Sequence, residues 1–267
     1  MQTAVTITPR RERWAHAGTP LDVAELYLGG IPRGAVLVLC AEDQCDGDDA
    51  VVLNALAEHG YEGLAATPHG DVSADALVAA AASLSGRLAA RGWEAAQIGV
   101  LAFRIPVASA MRLSAATGAG ALVTVSPVGL TADARGELDA ALPPLVSATR
   151  SPWLVLSGEE DPAAPASALT DLSTLLAARG PRHSQVVRYP GVGADLYLRS
   201  TEPLELAASF DHRQRIIEWF NAQVEPRPTP LAVAWRERRG ASSSHGPLPA
   251  APIHHADAHD PREEGAD

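Results

Sequence analysis

Apolar runs of strand length alternate along this chain with stretches whose apolar residues recur at helical spacing. Ala35 to Ala41 (AVLVLCA), Ile98 to Phe103 (IGVLAF), Gly120 to Ser126 (GALVTVS) and Trp153 to Ser157 (WLVLS) are continuous apolar runs. Such runs mark strands buried on both faces of a parallel sheet. Leu21 to Leu28 and Ser184 to Tyr189 alternate apolar with polar residues, and Gly63 to Thr67 is a short run before Pro68; these read as further strands. Val5 to Thr8 reads as an edge strand. Between the strands, Val52, Leu53, Leu56 and Ala57 lie at helical spacing behind a capping Asp48 or Asp49, with His59-Gly60 as the stop. Ala74 to Arg91 is an alanine-rich helix ended by Gly92. Ala166 to Ala178 is a helix stopped by Gly180-Pro181. Asp133 to Leu142 is a helix closed by Pro143-Pro144. Phe210 to Val224 (FDHRQRIIEWFNAQV) is an amphipathic helix with Ile216, Ile217, Trp219 and Phe220 on its apolar side.

Strands alternating with helices over short connections predict an α/β fold, a mostly parallel central sheet covered by helices on both faces. Sheets of this kind place ligands at the carboxyl ends of their strands. Those ends are Glu42, Pro68-His69, Arg104, Ser126, Asp161 and Ala194, and they are expected to surround one cleft. From Glu225 the composition turns polar and Pro-rich without period, which predicts a folded domain over 1–224 and a disordered tail over 225–267.

Composition narrows the chemistry. The formal net charge of −11 over 267 residues argues against partners that need a basic face, namely nucleic acid and anionic membrane surfaces. The partner expected is a small molecule or a protein. The sequence contains no lysine. That excludes a Schiff-base mechanism and a phosphate-binding loop of the lysine type. Gly118-Ala119-Gly120 precedes a strand rather than opening a helix, so it is no dinucleotide fingerprint. No apolar leader and no bilayer-length apolar run is present, and a soluble cytoplasmic protein is expected. Cys40 and Cys45 are the only cysteines. Cys40 reads as a packing residue at a strand end, and Cys45 lies among acidic neighbours that disfavour its thiolate. His183 reads as a surface residue. His245, His254, His255 and His259 in the tail read as solvated, and no metal site is assigned.

The turn after Phe103 carries the functional question. Ile98 to Ala110 reads as a buried strand, a sharp turn at Arg104 to Pro106, and a helix. A strand that breaks sharply into a helix is where an α/β-hydrolase mounts its nucleophile, in the pattern G-x-S-x-G. Here the five positions are Ala102, Phe103, Arg104, Ile105 and Pro106.

Over Leu21 to Val224 the chain resembles the dienelactone hydrolase family, a branch of the α/β-hydrolases with a cysteine nucleophile. AVLVLCAED resembles the strand leading to that family's glutamate, and LAEHGYEGLAATP its LA-x-x-GY helix and following strand. IGVLAF resembles IGVxGF, WLVLSGEEDPAAP the GxxDxxxP segment of the triad aspartate, and VVRYPGVGADLYL the YPGAGHGF segment of the triad histidine. IIEWFNAQV resembles the closing helix. The resemblance implies an α/β-hydrolase fold and cofactor-free hydrolysis of esters or lactones. It places Asp161 at the triad aspartate and Glu42 at the extra carboxylate.

The same alignment of motifs puts Arg104 at the nucleophile and Ala194 at the histidine. Pro106 and Val107 stand where the family has two glycines. Thiolate chemistry needs the thiol, its base and the base's orienting carboxylate. An arginine stays protonated and supplies neither nucleophile nor base. Two readings follow. In the first the protein is an inactive relative with a binding or structural role. Asp161 is then the only triad match, Arg104 is its ion-pair partner or an anion anchor, and Glu42, His69, Ser126 and Asp195 form the rest of a binding site. In the second, hydrolysis has relocated to Cys45 or Ser126 with His69 as base. An Arg104 paired with Asp161, Asp195 or Glu42 is expected under the first.

Overall fold

Strands form where the apolar runs lie, because a segment apolar on both sides is stable only with helices packed over each face. The computed structural model describes residues 6–41, 49–70, 72–131, 137–194 and 202–243, the last four of these for their backbone only. Eight strands make one sheet: β1 (Arg10–His16), β2 (Thr19–Leu26), β3 (Gly34–Cys40), β4 (Tyr61–Pro68), β5 (Ile98–Phe103), β6 (Ala121–Val125), β7 (Trp153–Gly158) and β8 (Gln185–Tyr189). Their spatial order is β1-β2-β4-β3-β5-β6-β7-β8. β1 with β2 and β2 with β4 are antiparallel; every other neighbour is parallel.

Alternate residues along the central strands divide between two cores. Leu37 and Leu39 of β3 and Val100 and Ala102 of β5 face one way. There they meet α2 (Ala74–Ala90), α3 (Val107–Thr117), α4 (Leu142–Ala148) and α5 (Ala166–Arg179) through residues such as Leu84, Met111, Val146 and Leu172. Val36, Val38, Leu101 and Phe103 face the other way, against Leu53 and Leu56 of α1 (Asp49–Glu58) and Ile216, Ile217 and Phe220 of α6 (Pro203–Gln223). Gly99 sets the closeness of this second layer. A Cβ there would lie 2.6 Å from the Phe220 ring, so any larger residue would lift α6 off the sheet.

Three elements differ from expectation. The amino-terminal edge strand is β1, at Arg10–His16; Thr6 to Thr8 carry no strand, and Val5 of the expected segment lies outside the described residues. β1 alternates polar and apolar with most side chains outward, which weakens its apolar signal. Pro143 and Pro144 do not close a helix; they sit in the first turn of α4. Proline suits that position because the first helical N–H groups have no internal acceptor. The stretch after Glu225 also contains a helix, α7 (Pro230–Ser243).

The chain divides into two compact units, the first ending at Arg227 and the second beginning at Pro228. α7 belongs to the second, and the residues beyond Ser243 lie outside those described. Among the described residues no helix is long and apolar enough to cross a membrane.

Candidate functional site

At the carboxyl edge of the sheet, two non-glycine residues adopt left-handed backbone: Arg104 at φ 55° and Ser126 at φ 44°. Each such residue costs on the order of 1–2 kcal/mol relative to ordinary backbone. The surroundings hold the conformation in place. The Arg104 N–H donates to Val125 O at 3.0 Å, and the Val107 N–H donates to Val128 O at 2.9 Å. Pro106 and Val128 form a further parallel bridge. The sharp strand-to-helix break between β5 and α3 is therefore clamped to the segment leaving β6.

From the tip of that break the Arg104 side chain reaches the loop after β7. Its Nη1 donates to Asp161 Oδ2 at 2.8 Å. The Asp161 side chain is fully buried, and that of Arg104 is 22% exposed. Asp161 Oδ1 accepts from the Ala163 N–H at 2.9 Å. Both carboxylate oxygens are thus engaged. The guanidinium Nε and Nη2 make no hydrogen bond among the described residues, so its outer edge still has donors to offer. The contact expected from the sequence between Arg104 and Asp161 is present. It has the chemistry of a buried carboxylate neutralised by a fixed cation, an arrangement that neither attacks a carbonyl nor accepts its proton.

Of the other described residues of the expected cleft, Ser126 follows the strand end that clamps Arg104, and His69 follows β4. His69 Nε2 lies 2.5 Å from Asp22 Oδ2 on β2. His69 ends β4, three strand positions from the end of β6, a separation of about 14 Å by strand spacing. Asp22 belongs to the antiparallel side of the sheet. Ser126 is fully buried, and its Oγ has no hydrogen-bond partner among the described residues.

The loop bearing Ala194 follows β8 and sits against the Asp161 turn, where the Glu160 N–H donates to Val192 O at 3.0 Å. Gly158 permits this approach, since a Cβ there would come within 2.1 Å of Val192 O. Glu42, Cys45 and Asp195 lie outside the described residues, as do the tail histidines. Cys40 is buried and disulfide-bonded, which corrects its reading as a packing residue alone and removes its thiol. His183 is exposed. No group of residues that could hold a metal ion is present among those described.

Two surface hollows among the described residues are lined by neither Arg104, Ser126 nor Asp161. One lies between α1 and α6 over β5 and contains His212, which sequence reasoning does not single out. Its signal is a histidine four residues before Ile216 on the apolar stripe of α6. Burial pushes the His212 imidazole down to about 4; nearby Arg213 lowers it further, while the Ala208 carbonyl and Asp211 oppose.

This strand order, the clamped break after β5 and the acidic loop after β7 define an α/β-hydrolase fold. Solved structures bear out that class. The chain is similar to a candidate dienelactone hydrolase from Klebsiella pneumoniae, at 17% identity and a TM-score of 0.61, over 80% of this chain and 98% of that one. It is similar to a carboxyl esterase from Bacillus coagulans, at 12% identity and a TM-score of 0.65, over 82% and 100%. It is also similar to a monoglyceride lipase from Saccharomyces cerevisiae, at 11% identity and a TM-score of 0.59, over 80% and 96%. No family profile and no curated protein matches the sequence.

Proposed function

We propose that this protein is a dienelactone-hydrolase-like member of the α/β-hydrolase fold that has lost hydrolysis and acts in binding. The observation that carries the reading is the Arg104–Asp161 pair at the tip of the break after β5. A hydrolase of this type needs a nucleophile at that tip and a base oriented by the carboxylate. Here the tip is a permanent cation, and it takes the carboxylate's charge for itself. The Ala194 methyl group cannot transfer a proton. What the site retains is the outer edge of the Arg104 guanidinium, a planar set of N–H donors suited to a carboxylate or carbonyl oxygen on a small molecule or a protein. The ligand class supported is therefore an oxygen acceptor, with no cofactor called for.

Hydrolysis of a panel of small activated esters tests this reading. Wild type, Ser126→Ala and Cys45→Ala are expected to match the uncatalysed rate within about twofold. Turnover of at least about a hundredfold over background in wild type, lost in either variant, would overturn it and support a relocated nucleophile.

A further inference from the structure

The cavity between α1 and α6 lies apart from the Arg104–Asp161 pair and encloses about 290 Å³. Val52, Ala55 and Leu56 of α1 form one wall, Ile216 and Ile217 of α6 the other, and Leu101 and Phe103 of β5 the floor. Phe210 stands at the mouth, 68% exposed. Within this apolar lining one polar side chain is almost wholly buried: His212, 1% exposed. Its Nδ1 lies 3.3 Å from the Ala208 carbonyl, to which it can only donate, so the proton of the neutral ring sits on Nδ1. Nε2 is then a lone-pair acceptor, and it makes no hydrogen bond among the described residues. Glu58, His59, Arg213 and Gln214 complete the lining.

A neutral acceptor inside an apolar cavity selects for one kind of ligand. The charged residues of the lining, Glu58 and Arg213, are exposed, so an ionised guest seated at the buried His212 end would leave water for apolar surroundings. A purely apolar guest would fill the volume and leave Nε2 unpaired, which carries its own cost. A guest with an apolar body and one O–H satisfies both requirements. We infer that the α1–α6 cavity is a binding site for a small, uncharged, apolar molecule bearing a single hydroxyl, a phenol or an aliphatic alcohol, which donates its proton to His212 Nε2. The site is independent of the binding reading given to Arg104, although its floor residue Phe103 immediately precedes that arginine in the chain.

Calorimetric titration of the full chain with 4-methylphenol and with toluene tests the assignment. The two guests share a body and differ by the hydroxyl. Wild type is expected to bind 4-methylphenol about tenfold more tightly than toluene, the effect of one hydrogen bond. His212→Phe keeps the volume and removes the acceptor, and should bring the two affinities within about twofold of each other. Ala55→Trp at the half-buried α1 wall should abolish binding of both. If His212→Phe does not fold, the imidazole Nε2 resonance of ¹⁵N-histidine-labelled wild type gives the same answer. It should shift upfield on adding 4-methylphenol and stay in place with toluene. Absence of binding in wild type, equal affinity for the two guests, or binding unchanged in Ala55→Trp would each overturn the inference.

Discussion

At the scale of single residues, Arg104 and Asp161 are coupled more tightly than either is to anything else on the sheet edge. Asp161 is buried and cannot hydrate its charge, so Arg104→Ala removes the cation and leaves the anion in place. Breaking a buried pair from one side costs about 3–5 kcal/mol. Arg104→Ala is therefore expected to lower unfolding free energy by that amount in urea titrations. Arg104→Ala with Asp161→Ala should cost clearly less than the two single changes added together, because the double variant leaves no unpaired charge. Additive losses would show that the 2.8 Å contact carries no net interaction. An ion pair at Arg104 was legible before any coordinates, with Asp161 one of three candidate carboxylates beside Asp195 and Glu42. The half-engaged state of the guanidinium was not, since which nitrogens face the carboxylate depends on a side-chain path that spacing does not encode. Nor was the diversion of His69 to Asp22, which comes from β2 running antiparallel beside β4.

At the scale of elements, the break after β5 and helix α6 each carry a consequence. Restoring the missing groups with Arg104→Cys and Ala194→His tests whether the break can still support catalysis. An oxyanion is stabilised by backbone N–H groups at the turn. The donor next to the nucleophile position is the Ile105 N–H; Pro106 and Val107 replace the family's two glycines directly after it, and the Val107 N–H pins the turn to Val128 O. Ester hydrolysis by the double variant is expected to stay within about tenfold of background, well short of the 10²–10³ that one aimed oxyanion donor supplies. A larger gain would mean that the turn geometry suffices without the two glycines. In α6, His212 is held neutral in the folded protein down to about pH 4, against an ordinary value of 6.5. The unfolded chain therefore takes up a proton first as pH falls. Stability is unaffected above pH 6.5, declines between 6.5 and 4, and levels below, for a total loss of about 3 kcal/mol from this group. Thermal melts across that range should show the decline in wild type and a shallower one in His212→Phe. The sequence announced α6 by its apolar stripe, yet the stripe alone makes His212 look like one more polar interruption. Only its burial in the fold shows that it is enclosed. The same limit explains α4: two prolines read as a stop when their neighbours are unknown and as a start once the first turn is seen.

At the scale of the whole molecule, the division of the central strands between two buried faces follows from the apolar runs, and the sequence reading of fold class needed no revision. The first compact unit runs to Arg227. Composition changes at Glu225, but the contacts continue to Arg227. The Glu225 N–H donates to Ala96 O at 3.0 Å, and the Arg227 N–H donates to Arg33 O at 2.8 Å. The Arg227 guanidinium lies 3.6 Å over the Trp93 ring and donates to Gly92 O at 2.7 Å. Proline and charge in EPRP look like a linker, because composition does not register that an arginine can stack on a buried tryptophan. Two truncations separate composition from contact. A chain ending at Arg227 keeps every one of these interactions and should unfold within about 1 kcal/mol of the full chain. A chain ending at Val224 loses these hydrogen bonds and the stacked cation, together about 2–4 kcal/mol. For a unit of this size that lowers the melting temperature by roughly 5–15 °C. Circular dichroism melts of the two truncations, run side by side, decide the point: equal midpoints would mean that the first unit is already complete at Val224 and that the Arg227 contacts add nothing to its stability.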